Sequence, residues 1–307
     1  MVTVIWNETN RCPYDCEICC VDANFCSRDE MTLVQKLDVA DKLGDIDCRV
    51  DLSGGEVMVN PQELFAVLER LSQKLGKERV GVSCSGWGID EAAAARLAAL
   101  VGDVEMTMDA HPDYEFSHRP NGYHQTAAEA AILLKRHGVK VGIQTVITRE
   151  HLKNVTTLVN LYGWLCDNGV DEWSILKFYP SGRGADFPQL ALSDDENKRV
   201  VSYVRSMDMF RGDFAKPQLD IHYLMPGTPK NTECRCVRKS VGILPDGTVT
   251  ACFWGLSKGN RLSESQFYLG DARVETMQAI LNGEKARYWC HREGGCALIP
   301  AATAAVA

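Results

Sequence analysis

The sequence predicts an α/β fold of parallel strands followed by a smaller, cysteine-rich carboxyl-terminal segment. Three observations lead there. Short β-branched or alternating runs take turns with stretches of helical length from the start to about residue 208. Helix punctuation falls where that alternation places it, with Pro61 suited to a first turn and Gly138 and Gly169 to helix exits. After Pro217 the rhythm breaks, and Cys234, Cys236, Cys252, Cys290 and Cys296 follow.

In chain order, Val2–Thr9 reads as the first strand and Thr32–Leu43 as the first helix. Arg49–Ser53, Val80–Ser85, Val104–Asp109, Val139–Ile147 and Glu172–Tyr179 read as further strands. Between them lie helices over Pro61–Leu75, Asp90–Leu100, Thr126–His137 and Glu150–Asn168. A last helix, Asp194–Met207, follows Ser193, an N-cap residue with Glu196 three positions on. Six β–α units in a row call for parallel strands joined by right-handed crossovers. Beyond them, Gln218–Leu224 reads as a strand, Pro226–Pro229 as a loop, Pro245-Asp246-Gly247 as a hairpin turn and Val274–Asn282 as a helix.

The 307 residues suffice for one large domain with an appendage, or for two, and we divide them as 1–215 and 216–307. Apolar residues make up 45% and charged residues 24%, which supplies ample core, and no apolar run approaches membrane-spanning length. Met1–Trp6 lacks the basic flank of a secretory signal, so a cytoplasmic location is expected. Thirteen cysteines, an odd count, favour metal or redox chemistry over a disulfide framework. A net charge of −8 argues against nucleic acid as a partner and favours a neutral or cationic substrate.

The most specific feature is Cys12-Pro-Tyr-Asp-Cys16-Glu-Ile-Cys19, followed by Ser53-Gly54-Gly55-Glu56. Three thiolates at this spacing can hold three irons of a [4Fe–4S] cluster that normally takes four cysteines, which leaves one iron open. A structural zinc site is the alternative, but no second paired knuckle lies nearby. The two motifs together resemble the radical S-adenosylmethionine (SAM) superfamily. That resemblance implies a partial (β/α)6, TIM-like barrel, with its site at the carboxyl ends of the strands. It also implies that Ser53, Gly54, Gly55 and Glu56 hold the SAM amino group, with Glu56 accepting from the ammonium. The position before the third cysteine is often aromatic in this superfamily and meets the adenine. Here it is Ile18, which packs but does not stack, and Tyr14 lies nearby. Gln144 stands where a contact to the SAM ribose or carboxylate is found, and Met106-Thr-Met-Asp109 resembles the superfamily's fourth-strand segment. Cys84, Asp109 and Tyr179 also lie near strand ends.

The carboxyl-terminal cysteines resemble the SPASM/twitch extension of these enzymes, in its single-cluster twitch form. The resemblance implies an auxiliary [4Fe–4S] cluster held by Cys252, Cys290, Cys296 and one of Cys234 or Cys236. A zinc ribbon is the alternative. Five thiols for four places leave one over, and Cys234 or Cys236 is the candidate hydrogen-atom donor, with Cys84 behind them. The expected activity is hydrogen abstraction by a 5′-deoxyadenosyl radical from a sugar or aminocyclitol, as in aminoglycoside pathways. The outcome would be epimerisation, or else alcohol dehydrogenation; peptide modification is the further alternative. A flavodoxin or ferredoxin would supply the electron.

Overall fold

The computed structural model describes residues 1–24, 29–114, 118–212, 214–222, 234–293 and 298. Its strands and helices alternate as the sequence predicts: β1 (Val2–Thr9), α1 (Leu33–Leu43), β2 (Cys48–Gly54), α2 (Pro61–Leu75), β3 (Val80–Cys84) and α3 (Glu91–Leu100). Then come β4 (Asp103–Thr107), α4 (Tyr123–Arg136), β5 (Lys140–Ile147), α5 (Arg149–Lys153), α6 (Thr156–Asp167), β6 (Glu172–Lys177) and α7 (Asp194–Arg211). The carboxyl-terminal part adds β7 (Gln218–His222), β8 (Ser240–Ile243), β9 (Thr248–Thr250), β10 (Leu256–Ser257), β11 (Arg261–Leu262), β12 (Tyr268–Asp271), α8 (Met277–Asn282) and α9 (Glu284–His291).

Capping fixes several of these boundaries. Ser193 and Glu196 exchange the two hydrogen bonds of a capping box at the start of α7, and Thr32 and Gln35 do the same for α1. The expected helix from Glu150 to Asn168 is two helices, because the backbone leaves helical geometry at Asn154 (φ −139°, ψ 84°). The helix expected from Thr126 begins at Tyr123, immediately after Gly122, which takes φ +75°. Thr276 caps α8 through its hydroxyl, so that helix starts after it rather than at Val274. The residues beyond His222 in the expected seventh strand, and the Pro226–Pro229 loop, lie outside the described residues.

One sheet in the order β12-β9-β8-β1-β2-β3-β4-β5-β6-β7 organises the chain. Strands β1 to β7 run parallel in sequence order, and among the described residues the two ends of the sheet do not pair, which makes an open barrel. β8 pairs with β1 in parallel, so the carboxyl-terminal segment extends the same sheet. β8 and β9 form the expected hairpin, with Gly247 at φ +89° in its turn. Among the described residues, no helix is long and apolar enough to cross a membrane.

The two faces of the sheet differ in chemistry. Val4, Trp6, Val50, Leu52, Val80, Val82 and Val104 form one core with Val39 and Leu43 of α1 and Leu64 and Leu68 of α2. The opposite face is polar. A Cβ on Gly81 would strike Arg49, Asp51 and Asp103, so these three share its side of the sheet. Arg49 pairs with Asp51 and Asp103, each at 2.7 Å, and Lys140 pairs with Glu172 at 3.2 Å. Glu105 and Gln144 bond to one another on that face. Burial, with Asp51, Glu172 and Asp103 adding to it, pushes the Glu105 carboxyl up to about 7 even though Gln144 donates to it.

Candidate active site

Cys12, Cys16 and Cys19 lie on the loop that leaves β1 at the carboxyl end of the strand. Each sulfur meets an N–H donor. The backbone N–H of Tyr14 donates to Cys12 Sγ at 3.4 Å, that of Ala23 to Cys19 Sγ at 3.4 Å, and the Arg119 guanidinium to the Cys16 thiol. Burial pushes the Cys12 thiol up to about 12 and raises that of Cys16 as well. Thiols whose pKa burial raises, as at Cys12 and Cys16, need a bound cation to become thiolates, and donors aimed at sulfur suit the thiolate form. Asn10, two residues ahead of Cys12, keeps both side-chain amide atoms buried without a partner among the described residues. This donor set fits an iron–sulfur cluster with three cysteine ligands.

The glycine pair explains how the second motif reaches the first. Gly55 N–H donates to Thr9 O and Glu56 N–H to Arg11 O, both at 2.8 Å. A Cβ on Gly55 would sit 2.1 Å from Arg11 O. The end of β2 is thus zipped onto the entry of the cysteine loop, which only glycine permits. Ser53 Oγ lies 3.3 Å from Asn7 Oδ1. Glu56 is fully buried, accepting from Met58 N–H at 3.0 Å, from Ser85 N–H at 2.8 Å and from the Ser85 hydroxyl. Burial raises its pKa in spite of these donors. Ser85 at the exit of β3 was not singled out in the sequence, because a lone serine carries no signal of its partner.

The other strand-end residues separate. Ile18 is buried against Phe178 and Leu190, on the segment that follows β6. Tyr14 meets the ring of Tyr123 edge-on at 4.9 Å. Cys84 packs in the sheet–helix core beside Val80 and Val82, which places it away from the polar face. Gln144 reaches Glu105 within that face. Asp109 is fully buried, binding Arg119 Nε at 2.7 Å and accepting from Val146 N–H at 2.8 Å. Burial alone would raise its pKa, but the Arg119 guanidinium, helped by His124 and His151, holds it below the usual carboxylate range.

In the carboxyl-terminal segment, the Cys236 thiol lies within hydrogen-bond reach of both Cys234 and Cys252. Cys252 also accepts from the backbone N–H groups of Trp254 and Gly255, and with Cys236 these draw its pKa down. Arg238, in the turn after Cys236, donates to Cys290 O at 2.7 Å, which ties the end of α9 to this group. Cys296 lies outside the described residues. The structure therefore brings both members of the Cys234/Cys236 pair to Cys252. The segment after Cys252 also packs on the first loop, where Val21, Ala23, Leu244 and Leu256 form a small core bordered by Cys12, Cys19, Cys20 and Phe253.

Comparison with known proteins agrees with this geometry. The Radical SAM superfamily model matches residues 6–161, and the SPASM iron–sulfur cluster-binding domain matches residues 234–299. The chain belongs to the radical SAM superfamily and carries a SPASM-type extension on its open α/β barrel. Its cofactors are accordingly SAM, a [4Fe–4S] cluster and auxiliary iron–sulfur. Pre-heme d1 synthase from Dinoroseobacter shibae (strain DSM 16493 / NCIMB 14021 / DFL 12) is 30% identical over 186 residues, covering 59% of this chain and 44% of that protein. The match thus spans under half the length of that curated relative. Native anSMEcpe with bound AdoMet shares the fold with a TM-score of 0.70 at 16% identity, over 94% of this chain and 82% of that one. Streptococcus suis SuiB bound to its precursor peptide SuiA gives 0.73 at 14% identity, over 93% and 66%.

Proposed function

We propose that this radical SAM enzyme removes a hydrogen atom from a carbon of a small, amine-bearing sugar or aminocyclitol of the aminoglycoside kind. The observation that supports this reading is the acidic balance of the chain, a net charge of −8, which the polar inner face shares towards the amino ends of its strands, where Asp51, Asp103 and Glu172 outnumber Arg49 and Lys140. Such a face favours an ammonium-bearing ligand. Cys12, Cys16 and Cys19 are the ligands we assign to the first cluster, with Ser53–Glu56 against the SAM methionine and Ile18 and Gln144 as further SAM contacts. Residues 1–215 carry this chemistry and residues 216–307 the auxiliary cluster. When bound, the cluster and SAM supply a 5′-deoxyadenosyl radical; the chain's own residues orient the substrate and exclude water.

Two fates of the substrate follow from the thiols. Epimerisation needs a thiol that no iron holds. The crowding of Cys234 and Cys236 on Cys252 favours giving both to the auxiliary cluster, with Cys252 and Cys290. Cys296 is then the thiol left over: epimerisation would run through it, and oxidation of an alcohol follows where it does not return a hydrogen atom. We expect the enzyme to work in the cytoplasm, with a flavodoxin or ferredoxin as its electron donor.

The test is 5′-deoxyadenosine formation by anaerobically reconstituted protein across aminoglycosides, neutral sugars and peptides. Turnover with an aminated sugar supports the proposal. In deuterated water, a ketone without deuterium marks dehydrogenation, and one incorporated deuterium marks epimerisation. Turnover confined to peptides, the substrate class of the SuiB complex, would overturn it.

A further inference from the structure

The loop bearing Cys12, Cys16 and Cys19 has almost no ladder of its own, yet its sulfurs must keep fixed positions. Its anchoring comes from Ser181-Gly182-Arg183-Gly184, just after β6. Arg183 donates from Nε to Cys16 O at 2.9 Å, from Nη1 to Ala23 O at 2.7 Å, and from its backbone N–H to Cys19 O at 3.0 Å. Nη1 also lies 3.2 Å from Asp15 and 3.5 Å from Asp22. Gly182, at φ +55°, lies so close that a Cβ there would sit 2.5 Å from both Cys19 O and Cys20 O. One guanidinium fork thus ties together carbonyls on either side of Cys19, which a lysine ammonium cannot reproduce with its compact head.

The contact continues into the carboxyl-terminal segment. Asp22, at φ +50°, turns its other oxygen to the backbone N–H of Gly259 at 2.6 Å, in the turn between β10 and β11. Lys258 reaches Asp186 at 2.6 Å beside it. Three segments distant in sequence therefore meet at Arg183 and Asp22.

We propose that Arg183 is a positioning residue for the cysteine loop, and that Asp22 couples this loop to the β10–β11 hairpin of the auxiliary segment. The proposal rests on Cys12, Cys16 and Cys19 as cluster ligands and is independent of the substrate.

The experiment uses the full chain, reconstituted without oxygen, as wild type, R183A, R183K and D22N. A variant lacking Cys12, Cys16 and Cys19 identifies the signal of the first cluster; if the wild type shows no such signal, the ligand assignment itself fails. The readouts are iron release from that cluster to a chelator, the change in its EPR spectrum on adding SAM, and amide exchange across residues 256–262. Arg183→Ala and Arg183→Lys should release iron roughly tenfold faster and lose the SAM-induced change, with wild-type circular dichroism. Asp22→Asn should speed both iron release and exchange in 256–262. Wild-type behaviour in R183A overturns the positioning role, and R183K decides it on the same terms if R183A does not fold. Wild-type exchange in D22N overturns the coupling.

Discussion

Arg119 Nε donates to Asp109 Oδ2 at 2.7 Å, with the carboxylate fully buried and the guanidinium also touching the Cys16 thiol. The pair joins the loop after β4 to the cysteine loop. Removing one partner strands a buried charge. Arg119→Met is therefore expected to cost about 3–5 kcal/mol in urea unfolding. The double variant with Asp109→Asn should recover part of that loss. Equal stability of R119M and wild type would show that the ion pair is not buried in solution.

Glu105 gives a pH signature. Its folded pKa, about 7, lies above the ordinary 4.5, so the folded state prefers the neutral carboxyl. Below about pH 4.5 both states are protonated and the group contributes nothing; between there and about 7 stability falls as pH rises, then levels off. Glu105→Gln removes that fall while keeping an oxygen for Gln144. The variant's advantage over wild type should grow from near zero at low pH to at most about 3 kcal/mol above neutrality. A pH-independent difference in thermal or urea unfolding would contradict the shift.

The carboxyl-terminal thiols can be counted by iron. If Cys234 and Cys236 both ligate the auxiliary cluster, each serine variant should fall from about eight irons per chain to about four. Retention of the full iron content by one of them would make that cysteine the free thiol.

Gly55→Ala tests the seam between the two amino-terminal motifs. Its methyl would meet Arg11 O at 2.1 Å, so the cysteine loop must shift. A loss of about 1–3 kcal/mol is expected, with weaker cluster binding on iron analysis. A variant matching wild type in both would mean that the loop yields freely.

Legibility followed locality. The strands were readable because β-branched runs alternate with capped helices, and the three-cysteine loop because its ligand spacing lies within eight consecutive residues. Asn154, which splits one expected helix into two, gave no warning, since asparagine is tolerated inside helices as well as at their ends. Glu105 carries no signal of its own in the sequence, because its raised pKa comes from burial and from the charges of Asp51 and Glu172 on other strands. Arg183 lies 167 residues from the Cys16 carbonyl it binds, a separation across which no periodicity or spacing carries information. The Cys84 orientation turned on strand parity, which the register of β3 settled.

The pairing of β8 with β1 has a consequence for biosynthesis. Val4 stands opposite Val241 across this seam, so one flank of the first strand stays bare until most of the polypeptide has left the ribosome. During that interval an apolar, unpaired edge is open to neighbouring nascent chains. Truncated products ending before Ser240 should accordingly precipitate, and expression at lower temperature or with chaperones should favour the full-length chain most.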